Sequence, residues 1–213
     1  MKKHLQLRLI PLLLLTFILS LLHTASLKAQ SPNARQAREI FDKTWNLAFG
    51  PQGSTFTYKV NIIGLYKTEG TIWQKGKKSR YESDNSKAWN DGTTFYVVKK
   101  KEVHIYDADD ERKDKYASKF SFERDNYNYS IAEDKDGLML TLKLKSSKLK
   151  GVSEVKLLVN RQTFVPLRLR VKVGLVHATV NISHFRSGGL DESLFVFPKD
   201  RYKDLKVDDK RRK

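Results

Sequence analysis

The sequence predicts an α+β fold, mainly β: a curled antiparallel open half-barrel of about ten strands with an N-terminal helix on its concave face. Two patterns carry this. Residues 32–48 hold one apolar stripe at helical spacing, Ala37, Ile40, Phe41, Trp45 and Ala48. From Ser54 to about Phe197 the period falls to two, and polar or glycine turns interrupt it at short intervals. An antiparallel sheet of that size curls, because long flat sheets are unfavourable.

The first residues stand apart from this pattern. Lys2, Lys3 and Arg8 precede Leu9–Leu22, a run of 14 almost wholly apolar residues, and small or polar residues follow up to Ala29. This is the order of a secretory signal peptide, and the run is short of the ~20 residues a spanning helix needs. The expected division is a signal peptide over 1–29, one domain over 30–200 and a charged, loosely held tail over 201–213. The chain has no cysteine, which removes disulfides, thiolate chemistry and lipidation after the signal. A soluble periplasmic protein is expected.

Without Lys2, Lys3, Arg8 and Lys28 the mature chain keeps 37 basic and 24 acidic residues. Export argues against nucleic acid, so the positive charge points to an anionic membrane surface or an acidic partner. A monomer is expected.

Ser31 reads as the N-cap of the helix and Pro32 as its first residue; Gly50-Pro51 and Gly53 end it. Phe56, Tyr58, Val60 and Ile62 then alternate with Thr57, Lys59 and Asn61. Gly70–Tyr106 reads as several strands, with the Asp91-Gly92 pair as a tight hairpin and Lys99–Glu102 as a second turn. Asp107–Lys119 is densely charged and reads as a loop. Leu138, Leu140, Leu142 and Leu144 alternate with polar residues, as do Val155, Leu157 and Val159, and Leu167, Leu169 and Val171. Val176, Ala178, Val180 and Ile182 follow, then a last strand is expected over Ser193–Phe197. Alternation of this kind separates an apolar concave face from a polar convex one. The Lys and Arg residues between Leu138 and Val173 fall on the convex face, either as solvating charge or as a contact for anionic headgroups.

No nucleophile–base set and no metal-ligand spacing stands out. His104, His177 and His184 are scattered, and no HExxH, P-loop, GxSxG or GxGxxG occurs. The reading is a protein that is not an enzyme and holds no cofactor or metal. The aromatic supply is large: 23 Trp, Tyr and Phe, of which only Phe17 lies in the signal. One helix covers only part of a ten-stranded face, and uncovered apolar surface marks a binding site.

Three motifs add a family resemblance. Gly70–Trp73 is followed by Lys75, Lys77 and Lys78 and then Arg80-Tyr81-Glu82. Asp91-Gly92 precedes Phe95-Tyr96. Ile182, Phe185, Leu190-Asp191, Phe195, Phe197 and Pro198 close the series. In order and spacing these resemble the LolA-like periplasmic carriers of outer-membrane lipoproteins. The resemblance implies an open half-barrel whose cavity shields the acyl chains of lipidated proteins and delivers them to the outer membrane. It also implies an inner-membrane lipoprotein-releasing transporter and an outer-membrane acceptor as partners. The alternative is a sensor or binding module of the same fold, recognising a lipid or an envelope protein without carrying it. The cavity candidates are Phe56, Tyr58, Val60, Ile62, Tyr81, Trp89, Leu138, Leu140, Leu142, Leu167, Leu169 and Val171. The family's latch uses an Arg-Pro turn after the Trp; here the turn is Lys-rich and lacks the Pro, so Lys75 and Arg80 are the latch candidates.

Overall fold

The computed structural model describes residues 31–62, 66–109, 123–146, 152–173 and 176–212. The fold below is that of the compact unit Asn33–Lys213. The expected signal peptide and most of the Asp107–Lys119 loop lie outside the described residues.

Helix α1 spans Pro32–Phe49 and buries Ala37, Ile40, Phe41, Thr44 and Ala48; of the expected stripe Trp45 is only half-buried, packed against the core, and Thr44 is buried in addition. It stops where the Gly50 N–H donates to the Asn46 carbonyl at 2.9 Å. A Cβ at Gly50 would sit 2.3 Å from that oxygen, so the turn needs glycine.

Among the described residues twelve strands follow, in one sheet. They are β1 (Ser54–Ile62), β2 (Tyr66–Lys75), β3 (Lys78–Ser83), β4 (Ser86–Asn90), β5 (Thr94–Lys99) and β6 (Glu102–Asp107), then β7 (Tyr127–Asp134), β8 (Gly137–Leu144), β9 (Glu154–Val159), β10 (Pro166–Val173), β11 (Val176–Ser187) and β12 (Lys206–Asp209). The spatial order is β12-β6-β5-β4-β3-β2-β1-β11-β10-β9-β8-β7. Two antiparallel meanders, β1–β6 and β7–β11, are thus joined through the β1–β11 pair. Among the described residues the fold is mainly β, an open sheet with one long helix, as the alternation predicts. The Asp91-Gly92 hairpin forms, with Gly92 at φ +98°.

Two expectations are corrected at the C-terminus. Ser193–Phe197 is not a strand: Glu192–Phe195 is a 3-10 turn, capped by the Asp191 carboxylate accepting from the Ser193 N–H at 2.8 Å. Nor is the charged tail loose. Lys206–Asp209 is β12 and pairs in parallel with β6, from Lys206 opposite Glu102 to Asp209 opposite Ile105. Lys206 and Arg212 reinforce it with bonds to Glu102 and Asp107 at 3.2 and 3.3 Å. The charged segment that reads as a loosely held tail in the sequence covers an otherwise open sheet edge. At the other edge, β7, the Asn33 side chain caps one residue. Asn33 donates to the Ile131 carbonyl at 2.8 Å and accepts from its N–H at 3.0 Å, occupying the outward backbone groups of Ile131 in the middle of β7.

The main core lies between α1 and the β7–β10 end of the sheet, around Phe41, Tyr127, Tyr129, Leu140, Leu142, Leu157 and Val159. At 1.5 Å per residue α1 is about 27 Å long, and six strands at ~4.8 Å spacing span about 24 Å. Its contacts follow that reach. Asn33 bonds to β7, Thr44 Oγ1 donates to the Phe164 carbonyl before β10, and the Ala48 carbonyl accepts from Ser54 Oγ at the start of β1.

Burial of Tyr129 has a consequence for pH. Loss of solvent around its ring pushes the phenol up to about 12, although Arg38 nearby pulls the other way. The folded state therefore favours the neutral phenol. The stability this gives is complete below the ordinary tyrosine value near 10 and is lost as pH rises from there to about 12. Far-ultraviolet circular dichroism during an alkaline titration should show the fold weakening in that window, and Tyr129→Phe should diminish the step.

Candidate functional site

The strand registers sort every sheet side chain onto one of two faces. One row of direct cross-strand partners runs Ile131, Leu140, Leu157, Leu169, Val180, Val60, Thr68. A second runs Phe56, Ile72, Tyr81, Ala88, Val97, His104. Both lie on the side that carries α1.

Burial changes along this face. Leu140 and Leu142 are fully buried, and Leu138 is 8% exposed, so these three candidates are packed core beneath α1 rather than cavity wall. Leu169 and Val171 pack against the same core. On β11, β1, β2 and β3, beyond the cluster that α1 closes, Tyr58, Val60, Ile72, Tyr81, Val180 and Ile182 are half-buried and join neither packed cluster among the described residues. Phe56 is buried and stacks on Phe185, with ring centroids 5.9 Å apart. Ile62 pairs with Ala178 and Tyr66 through its backbone, and its side chain lies outside the described residues.

The surface is smooth as well as apolar. Tyr58 faces Gly70 across the β1–β2 pair, and a Cβ at Gly70 would lie 2.8 Å from the Tyr58 hydroxyl and 2.3 Å from the Glu82 carbonyl. The missing side chain lets the tyrosine ring lie over the neighbouring strand. The result is a continuous apolar patch on β11, β1, β2 and β3 beside the sealed half.

Three candidates are corrected by parity. Trp89 sits directly between Arg80 and Tyr96 in the row Trp73, Arg80, Trp89, Tyr96, Ile105, on the opposite face. There it is 2% exposed, under Phe197 at 5.4 Å and Tyr202 at 5.8 Å between ring centroids. Phe197 also stacks on Tyr96 at 4.4 Å. Trp89 thus belongs to a second core, closed by the C-terminal segment. Arg80 lies on that face too. Its guanidinium stands 4.8 Å from the Trp73 ring and 5.7 Å from the Trp89 ring, and it donates to Glu82 at 2.6 Å. It cannot reach a helix on the other side of the sheet. Leu167 is the extra residue of a bulge between Pro166 and Arg168, which takes it out of the helix-side alternation.

Lys75 does latch something, but not α1. Its ammonium contacts Glu192 at 2.7 Å and donates to the Leu190 carbonyl at 3.3 Å; Lys78 contacts the same Glu192 at 2.6 Å. The Lys75 and Lys78 hydrogen bonds hold the Glu192 carboxyl below its usual range. These bonds pin the 3-10 turn that leads into Phe197. Sequence reasoning missed this clamp because its aromatic residues, Phe195, Phe197 and Tyr202, read as the end of a strand and the start of a tail.

Among the described residues no three His, Asp or Glu groups converge as a metal site, and no helix is long and apolar enough to cross a membrane. His104 lies 3.1 Å from Asp208 and 3.5 Å from Glu102, where it joins β12 to β6.

No family model and no curated protein matches the chain. Several solved structures are similar to it. MucB, in its complex with MucA(peri), is 12% identical, with a TM-score of 0.47 over 76% of this chain and 60% of that one. The chain therefore spans about 60% of the length of MucB. An uncharacterized conserved protein from Thermus thermophilus is 20% identical, with a TM-score of 0.46 over 82% of this chain and 99% of that one. A LolA superfamily protein from Nitrosomonas europaea is 10% identical, with a TM-score of 0.36 over 76% and 97%. The last carries the name of the family that the sequence motifs resemble.

Proposed function

We propose that the protein is an exported carrier that shields the acyl chains of lipidated proteins on the apolar patch of β11 and β1–β3. The observation that carries this is the change in burial along one face. The β7–β10 half is sealed by α1, and the adjoining half presents Tyr58, Val60, Ile72, Tyr81, Val180 and Ile182 half-buried and without a charged neighbour in their rows. Exposed apolar surface that is continuous and rimmed by polar residues marks a binding site. The patch has no side chain at Gly70, where the Tyr58 ring lies over β2, and such a strand surface suits extended hydrocarbon. Each methylene removed from water contributes about 0.8 kcal/mol, so a chain of ~15 methylenes represents about 12 kcal/mol. No covalent step is needed: the side chains bind and exclude water. In this reading cargo is received from an inner-membrane lipoprotein-releasing transporter and handed to an outer-membrane acceptor.

A synthetic triacylated peptide tests the proposal. Titration into the mature protein should quench or shift tyrosine and tryptophan emission and give a complex by native mass spectrometry. Val60→Asp should weaken that complex about 30-fold or more, because binding would bury the carboxylate against hydrocarbon. No complex with the wild-type protein sinks the proposal. Transfer of the bound peptide to acceptor vesicles separates a carrier from a binding module that only senses a lipid.

A further inference from the structure

We infer that the outer face of β8–β11 is a docking surface for a bilayer with anionic headgroups. On this face β10 places Arg168, Arg170 and Lys172 at alternate positions. Arg170 stands directly opposite Lys156 of β9, and Lys172 opposite Glu154, which is itself opposite Lys143 of β8. Five cations therefore share one carboxylate. Lys143 and Lys156 approach Glu154 only at 4.0 and 3.9 Å. Among the described residues Arg168, Arg170 and Lys172 have no side-chain ion pair.

Like charges directly opposite on neighbouring strands destabilise a sheet. The same outer face avoids that elsewhere. Lys59 pairs with Glu69 at 2.9 Å across β1–β2, and Arg80 with Glu82 at 2.6 Å on β3. A surface that only needs to be solvated mixes signs in this way. The β8–β10 patch departs from the pattern within one sheet, which points to a partner of opposite charge.

Its geometry selects the partner. Strands lie ~4.8 Å apart, and alternate residues along a strand ~6.8 Å apart, so the cations form a two-dimensional array on an open sheet face rather than a slot. Their partners on β8 and β11 are Thr141 opposite Lys156, Thr179 opposite Arg170, Asn181 opposite Arg168 and His177 opposite Lys172; Leu158 of β9, opposite Arg168, is buried, and no Trp, Tyr or Phe anchor of the kind that dominates protein interfaces stands among them. A layer of phosphates matches an array of long, flexible cations. The patch lies on the opposite side of the sheet from the acyl surface, so the inference does not depend on the cargo.

Co-sedimentation of the mature protein with phosphatidylcholine vesicles, with and without an equal part of phosphatidylglycerol, tests it. Binding should need phosphatidylglycerol and fall steeply with salt. The triple variant Lys156→Gln, Arg170→Gln, Lys172→Gln should lose about fivefold per cation, about a hundredfold in all. A control triple, Lys99→Gln, Lys100→Gln, Lys101→Gln in the exposed β5–β6 hairpin, makes the same change in net charge and should lose less than about threefold. Equal losses in the two triples would reduce the effect to net charge and overturn the inference. So would wild-type protein that ignores phosphatidylglycerol. A patch triple that still binds vesicles but no longer binds poly-glutamate would also overturn it, in favour of an acidic protein partner.

Discussion

Trp89→Ala should lower the unfolding free energy by about 3–5 kcal/mol and leave affinity for a triacylated peptide within about twofold. The stability loss follows from burial. The ring is 2% exposed and meets Phe197 and Tyr202 edge-on, with the Arg80 guanidinium 5.7 Å from its centroid. Removing it opens a cavity in the smaller core and unseats the C-terminal segment that supplies β12. The neutral effect on binding follows from parity: Trp89 faces away from the acyl surface. Urea denaturation and peptide titration of the same variant check both halves. A large loss of affinity in a variant that remains folded would put the binding surface on the wrong side of the sheet.

Leu140→Ala should cost about 3–4 kcal/mol in the same denaturation experiment. Leu140 is fully buried between Ile131 and Leu157 in the sheet rows and packs in the cluster beneath α1. Neighbours held by the strand ladder on two sides relax little into the space left. A cost near 1 kcal/mol would mean that the β7–β10 half is loosely covered, and the contrast between sealed and open halves would fail with it. The two substitutions thus test the two cores independently, one on each side of the sheet.

Both tests turn on where alternation ends as evidence. Alternation in the sequence separates Leu138, Leu140 and Leu142 from Met139 and Thr141, and Phe56, Tyr58 and Val60 from Thr57 and Lys59. It does so because successive side chains on a strand point to opposite faces. Alternation within one strand does not say which side of the sheet its apolar set occupies. Trp89 and Tyr81 both read as apolar members of one meander, yet Tyr81 pairs with Ala88, and Trp89 with Arg80. The β3–β4 register alone separates them. Leu167 was beyond reach for a related reason: a bulge shifts the count by one and leaves no mark in the apolar pattern.

The local elements of this protein are legible in its residues alone. The Ala37–Ala48 stripe makes one amphipathic helix, Gly50 ends it, Asp91-Gly92 turns the β4–β5 hairpin, and the alternating runs become strands. Each depends on residues close together in the chain, where backbone preference and side-chain period act directly. Which apolar residues are core and which are surface follows only from the folded arrangement. That division depends on β1 pairing with β11, on α1 running out near β1, and on residues 190–209 folding back over Trp89 to end as β12 beside β6. These are contacts between segments about a hundred residues apart. Their register is set by complementary packing across the whole sheet, and no local spacing encodes it.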